Sequence, residues 1–184
     1  MTRIIFVRHG QTDQNLDMLS GESIKELDYP LNETGIAQAE ALYERLAGEQ
    51  IDAMVSSSML RAKTTAEILN KDRQLPIIVE HDLRERMAGG LTIEEWHELF
   101  DMDKNIQTEI GEDAHSFFTR VYAVIDRLLE EYDGQTVMIV AHGGVHHAFH
   151  AYFNQLPWKG NLRLEPMKNA EARYYDIKKP GGKK

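Results

Sequence analysis

The chain contains no cysteine among its 184 residues. Disulfides therefore cannot hold the fold together, and no thiolate is available as a nucleophile or metal ligand. Long apolar runs are missing as well: nothing approaches the ~18 consecutive apolar residues of a membrane-crossing helix. The opening run Ile4-Ile5-Phe6-Val7 is too short for the core of a secretory signal, and no small-residue cleavage site follows it. Positive charge is scarce, with 21 Lys and Arg against 30 Asp and Glu, a formal net charge of −9. That balance argues against a general nucleic-acid binder, which needs a basic face. It also means that an anionic ligand must be gripped by a local cluster of cations, working against the field of the whole chain. Internal repeats and low-complexity linkers are not seen, so residues 1–177 read as one domain. Lys178 to Lys184 has nothing apolar to bury and reads as a disordered tail. No membrane and no nucleic acid is expected as a partner, and a cytoplasmic enzyme is the simplest reading.

What is present is an alternation of two periodicities. Ile4 to Val7 and Val137 to Ala141 are continuous apolar runs, the pattern of strands buried on both faces of a parallel sheet. Met54-Val55 and Ile77 to Val79 repeat it more weakly. Between them lie helical patterns. Asn32 is placed to cap a helix from Glu33 to about Ala47, with Gly48 as its stop. A second helix spans about Met59 to Leu69, a third runs from Asp113 to Tyr132, and a fourth starts near Gly144. Strands alternating with helices predict an α/β fold, a three-layer α/β/α sandwich around a mostly parallel sheet.

In such sheets ligands bind where the strands end. Arg8-His9-Gly10-Gln11-Thr12 follows the first run, and His142-Gly143-Gly144 follows the Val137 to Ala141 run. A guanidinium offers planar paired donors for phosphate or carboxylate, and an imidazole near neutral pH serves as base, nucleophile or ligand. Each burst also suits an ordinary polar loop at a strand end. Ser56-Ser57-Ser58 precedes the second helix, where serines can cap it. Arg61 falls in its first turn, where a cation opposes the helix dipole and a bound anion would explain it. From spacing alone, Glu85 reads as a loop glutamate paired with Arg84 or Arg86. His146 and His150 share a helix face, yet no third ligand completes a metal set, so they and His147 read as residues near a pocket mouth. Trp96, Phe100 and Met87 suit either a cap over a substrate or core packing.

Five segments, in order, carry a resemblance. Val7-Arg8-His9-Gly10-Gln11-Thr12 with Asn15, Asp28-Tyr29-Pro30-Leu31-Asn32-Glu33-Thr34-Gly35 with Gln38-Ala39, Ser57 to Thr65, Leu83-Arg84-Glu85 with Gly89-Gly90, and Ala141-His142-Gly143-Gly144 together resemble the histidine phosphatase superfamily, the phosphoglycerate-mutase-like proteins. The resemblance implies that His9 is the nucleophile and becomes a phosphohistidine. It implies that Arg8, Arg61 and His142 hold the phosphoryl oxygens and that Glu85 is the general acid and base. Asn15, Gln11, Thr12 and Gly143 match positions that contact phosphate or substrate. Neither a metal nor another cofactor is implied, and the expected partner is a small phosphorylated metabolite.

The family contains mutases and phosphatases. Mutases in it are longer and carry an E-R-H-Y-G-x-L element, where this chain reads Glu85-Arg86-Met87-Ala88-Gly89-Gly90. The phosphatase branch is therefore expected. A phosphoglycerate mutase, or a phospho-ligand-binding module without turnover, are the alternatives. The segment Gly21 to Glu26 is longer and more acidic than the family pattern, which would favour monophosphates over bisphosphates.

Overall fold

Residues that alternate between two buried faces build the centre of the molecule. In the computed structural model, which describes residues 1–20, 28–86, 92–107 and 112–178, five strands form one sheet. They are β1 (Thr2–Arg8), β2 (Ala53–Ser57), β3 (Ile77–Glu80), β4 (Thr136–Ala141) and β5 (Ala172–Ile177), in the order β3-β2-β4-β1-β5. β1, β2, β3 and β4 are parallel, and β5 adds to β1 as an antiparallel edge. The helices are α1 (Asp13–Ser20), α2 (Glu33–Arg45), α3 (Leu60–Asn70), α4 (Ile93–Glu98), α5 (Ala114–Glu131) and α6 (Gly143–Phe153).

Successive side chains of a strand point to opposite faces, and the two faces bury separate cores. Ile4 and Phe6 of β1, with Val137 and Ile139 of β4, pack on one side with Phe117, Val121 and Ile125 of α5 and Val145 and Phe149 of α6. Ile5, Val7, Met138 and Val140 pack on the other with Leu42 of α2 and Ala62, Ala66 and Leu69 of α3. This is the expected three-layer α/β/α arrangement. It also explains the unbroken apolar runs, since both faces of β1 and β4 must be hydrophobic.

Local signals account for most element ends. Asn32 caps α2 by accepting from Gly35 N at 2.9 Å, and Asp113 caps α5 by accepting from Ser116 N at 2.7 Å. α2 stops at Arg45, short of the expected Ala47, where the Arg73 guanidinium donates to Leu46 O. The expected serine cap of α3 is corrected: Met59 is the cap residue and its side chain makes no capping bond. The free N–H of Leu60 instead donates to the Asp28 carboxylate at 2.8 Å, an anion suited to a helix start. The sequence reading did not include α1, α4 or β5. α4 carries a capping box between Thr92 and Glu95 that was open to inspection. β5 alternates half-buried with exposed residues, a weaker signal than a buried run.

Phe100 is wholly buried, edge-on to Trp96, Phe117 and His147, so it is core and not a cap. Among the described residues no helix is long and apolar enough to cross a membrane. The Gly21 to Glu26 segment, Met87, Gly89, Gly90 and the tail beyond Lys178 lie outside the described residues.

Candidate active site

β1 and β4 are parallel neighbours in a register that pairs Arg8 with Ala141, so their following residues meet. His9 N donates to Ala141 O at 3.0 Å. The imidazoles of His9 and His142 then stand edge to face, 5.1 Å between centroids. The two polar bursts, remote in sequence, share one end of the sheet.

His9 is buried and its tautomer is set by its partners. Nδ1 lies 2.7 Å from Gly10 O, an atom that can only accept, so Nδ1 carries the proton. Nε2 is left with a lone pair, which accepts from Arg61 Nε at 3.2 Å. Burial first, then the charges of Arg61 and Arg8, push this imidazole well below its ordinary pKa. It is neutral at neutral pH, with Nε2 facing the cations.

Those cations are held from behind. Arg61, buried in the first turn of α3, places Nη2 3.4 Å from Met59 Sδ and Nη1 3.8 Å from the Asp28 carboxylate. Arg8 donates to Met167 O, and its Nε is buried without a hydrogen-bond partner. Beside it, a Cβ on Gly143 would approach Arg8 Nε to 3.4 Å. His142 lies 2.8 Å from Ser57 Oγ through Nε2, while its Nδ1 is buried without a partner. Burial, followed by the charge of Arg61, keeps His142 neutral as well. A buried guanidinium N–H and a buried imidazole nitrogen, both without partners and close to the Arg61 guanidinium, suit an anion.

Glu85 closes the group. Its Oε1 accepts from Arg86 N at 2.9 Å and its Oε2 from Gly144 N at 3.0 Å, in the first turn of α6. Burial raises its pKa; the two N–H donors and the charges of Arg61 and Arg8 oppose the rise. The pairing with Arg84 or Arg86 suggested by spacing is not made. Arg84 donates to His81 O, and the buried Arg86 donates to the carbonyls of Ile106 and Glu112, its own pKa lowered by burial to about 10. Gly144 is required by contact: a Cβ there would lie 2.1 Å from Glu85 Oε1 and 2.9 Å from Phe100 Cζ.

The remaining expected residues brace the loop after β1. Asn15 Oδ1 accepts from Thr12 N at 3.1 Å, Thr12 Oγ1 at 3.2 Å and Asn169 Nδ2 at 3.1 Å. Gln11 is held against the start of α2, its N donating to Gln38 Oε1 at 2.9 Å and its Oε1 accepting from Asn32 Nδ2 at 3.3 Å. Here Gly10 and Gly35 cross backbone to backbone; a Cβ on Gly10 would lie 2.4 Å from Gly35 O. Thr65 joins two segments, accepting from Gly10 N at 3.1 Å and donating to Arg61 O at 2.8 Å. Asn169 Nδ2 also donates to His9 O at 3.1 Å. No local pattern in the sequence marks Asn169 for this role.

His146 and His147 are buried rather than at a pocket mouth, which corrects the expectation for both. The two ring nitrogens of His146 are engaged, Nδ1 with Glu165 O and Nε2 with Tyr175 Oη, each at 3.0 Å. Among the described residues no group of three or more His, Asp or Glu side chains is placed to hold a metal ion.

Comparison with known proteins follows the same lines. Residues 4–183 match the family model described as Histidine phosphatase superfamily (branch 1). An uncharacterized phosphatase PhoE of Bacillus subtilis is 35% identical over 151 residues, covering 80% of this chain and 75% of that protein. A metal-independent phosphoserine phosphatase of Arabidopsis thaliana is 30% identical over 176 residues, covering 88% and 73% respectively. Among solved structures, YhfR of Bacillus stearothermophilus superposes with a TM-score of 0.84 at 26% identity, covering 97% of this chain and 93% of that one.

Proposed function

The chain belongs to the histidine phosphatase superfamily (branch 1), and from that premise we propose that it hydrolyses small phosphate monoesters, without a metal, through a phosphohistidine on His9. Phosphomonoesterase activity follows from the family and from its phosphatase relatives. The observation that carries the finer reading is the state of His9: neutral, Nδ1–H spent on Gly10 O, and Nε2 presented among Arg8, Arg61 and His142.

Each group has a physical task in this reading. Phosphoryl transfer spreads negative charge over the equatorial oxygens, and fixed donors in a water-poor site stabilise that charge strongly. Arg8 Nε supplies a buried donor that lacks a partner, and His142 Nδ1, also without a partner, is a second donor when the Ser57 hydroxyl donates to Nε2. Arg61 Nε exchanges its bond to His9 Nε2 for one to a phosphoryl oxygen, which frees the lone pair. Nε2 attacks phosphorus as the ester P–O bond breaks, and the leaving oxygen takes a proton from Glu85. The Glu85 carboxylate then removes a proton from water, which attacks the phosphohistidine, releasing phosphate and restoring neutral His9. The raised pKa of Glu85 suits a group that must begin protonated.

The test is hydrolysis of an aryl phosphate with a chelator present, for wild type, His9→Ala and Glu85→Gln. Activity that survives chelation and is lost in His9→Ala supports the reading, as does a phosphoryl label on the wild-type protein that is lost in acid and kept in base, the behaviour of a phosphoramidate. Undiminished activity in His9→Ala overturns it. Interconversion of 3- and 2-phosphoglycerate far faster than their hydrolysis would assign the chain to the mutase alternative.

A further inference from the structure

Arg84 to Arg86 belong to no helix or strand, yet this stretch, which carries Glu85, is fastened on both sides of the acid. On one side stands Arg120 of α5. Its Nη1 donates to Asp82 O and Arg84 O, the latter at 3.0 Å. Its Nε and Nη2 form a forked pair with the Glu112 carboxylate at 2.5 and 3.0 Å. On the other side stands Arg86, whose Nη2 donates to Ile106 O and to Glu112 O, the latter at 3.1 Å. Glu112 thus joins the two arginines, holding Arg120 through its carboxylate and Arg86 through its carbonyl. The backbone N–H of Arg86 in turn donates to Glu85 Oε1 at 2.9 Å.

Arg86 is a costly residue to place there. It is 1% exposed, and its Nε and Nη1 are buried without hydrogen-bond partners. An apolar side chain of similar volume in place of a buried ion is often neutral or stabilising, so folding alone does not call for a guanidinium. What the guanidinium adds is a grip on carbonyls of another segment. That grip fixes the peptide between Glu85 and Arg86, whose N–H is one of two that hold the Glu85 carboxyl. The other comes from Gly144 in α6, at 3.0 Å. The acid keeps its aim only while both N–H groups keep their places.

We propose that Arg86 is a positioning residue for Glu85, supported by Arg120: anchored through Glu112, the pair locks the Arg86 N–H against the carboxyl that gives and takes the proton. The inference rests on the phosphatase reading and adds two residues that act through its acid. It also has a signed consequence. An N–H bonded to a carboxylate favours the ionised form. The Arg86 N–H, the Gly144 N–H and the charges of Arg61 and Arg8 all oppose the rise that burial causes in Glu85. Around Arg86 itself stand Glu112, Asp113, Glu85 and the like charge of Arg120. Loosening the Arg86 N–H raises the Glu85 pKa further, and removing the Arg86 charge acts in the same sense.

The test compares wild type, Arg86→Met, Arg86→Lys and Arg120→Met on an alkyl and a nitrophenyl phosphate across pH. Arg86→Met should lower kcat/KM about 10- to 100-fold on the alkyl ester and less on the nitrophenyl ester, whose leaving group needs no proton. Inhibition by inorganic phosphate should stay within about threefold of wild type, since Arg8 and Arg61 are untouched. The alkaline limb of kcat/KM should move to higher pH by about 0.5 or more. Arg86→Lys, which keeps the charge, should recover part of the rate and of the limb, and Arg120→Met should repeat the Arg86→Met pattern more weakly. Equal losses on both esters with an unmoved limb, the mark of a merely structural role, would overturn the proposal, as would an undiminished rate in Arg86→Met. If Arg86→Met does not fold, Arg120→Met decides by the same readouts. If wild type hydrolyses neither ester, the phosphatase reading fails on its own. The positioning is then judged by carboxyl NMR, with the Glu85 signal assigned by its loss in Glu85→Gln: titration at higher pH in the folded variant upholds it, and an unchanged midpoint ends it.

Discussion

Gly144→Ala places one methyl group where the proposed acid sits. The new Cβ would lie 2.1 Å from Glu85 Oε1 and 2.9 Å from Phe100 Cζ. Non-bonded heavy atoms settle near ~3.5 Å, so the carboxyl must retreat by more than about 1 Å. Its retreat is resisted by bonds from Arg86 N at 2.9 Å and Gly144 N at 3.0 Å, and Phe100 is core. A misplacement of ~1 Å at a reacting group costs on the order of 10²-fold in rate, and overpacking costs about 1–3 kcal/mol in stability. The kinetic loss should be as large as the upper end of the stability loss, and unlike it should depend on the leaving group. An alkyl phosphate, whose alkoxide needs the proton, should lose more than a nitrophenyl phosphate, whose phenolate leaves unaided. Gly48→Ala is the control: nothing lies within 4 Å of a Cβ there, and its effect should stay within about 0.5 kcal/mol. The assay is kcat for both substrates with thermal melting of each variant. A folded Gly144→Ala protein that keeps kcat within about threefold on the alkyl substrate would refute the role given to Glu85.

The pH–rate profile should be narrow and displaced to acid. The active form needs neutral His9 and protonated Glu85, so activity falls on the acid side as His9 protonates, well below 6.5, and on the alkaline side as Glu85 ionises above 4.5. Glu85→Gln should remove the alkaline limb along with most of the rate; a limb that persists unchanged belongs to another group. Stability should fall as pH drops below the ordinary histidine range, because His9, His142, His146 and His147 are held neutral in the fold and protonate in the unfolded chain. His146, depressed to about 4, accounts for about 3 kcal/mol of loss between pH 6.5 and 4. Glu85 contributes in the opposite sense, losing stability as pH rises through the ordinary carboxyl range. Melting temperatures at pH 8, 6 and 5 measure the balance, and a flat series would contradict it. Thr65→Val removes the acceptor of Gly10 N and the donor to Arg61 O; a loss of about 1–3 kcal/mol is expected by denaturant titration, and a neutral result would show the loop needs no such brace.

Several features were legible because they have local causes. A parallel strand covered on both faces must be apolar throughout, so β1 and β4 stand out as runs. Helix starts need side-chain acceptors, so Asn32 and Asp113 announce α2 and α5. The strand-end positions of His9 and His142 follow from those runs, and the family follows from five ordered motifs. From these the sequence by itself determined the fold class and the kind of chemistry. Only the tertiary structure decided the rest. The Nδ1–H tautomer of His9 depends on Gly10 O and on Arg61 from another helix. Asp28 caps α3 in place of the serines. Glu85 is separated from its neighbouring arginines by the N–H of Gly144 and by Arg86 turning to Ile106 and Glu112. Asn169 reaches the site from the far end of the chain. Such contacts are set by the closing of loops and by which buried polar groups remain to be paired, and neither leaves a periodic mark in the sequence.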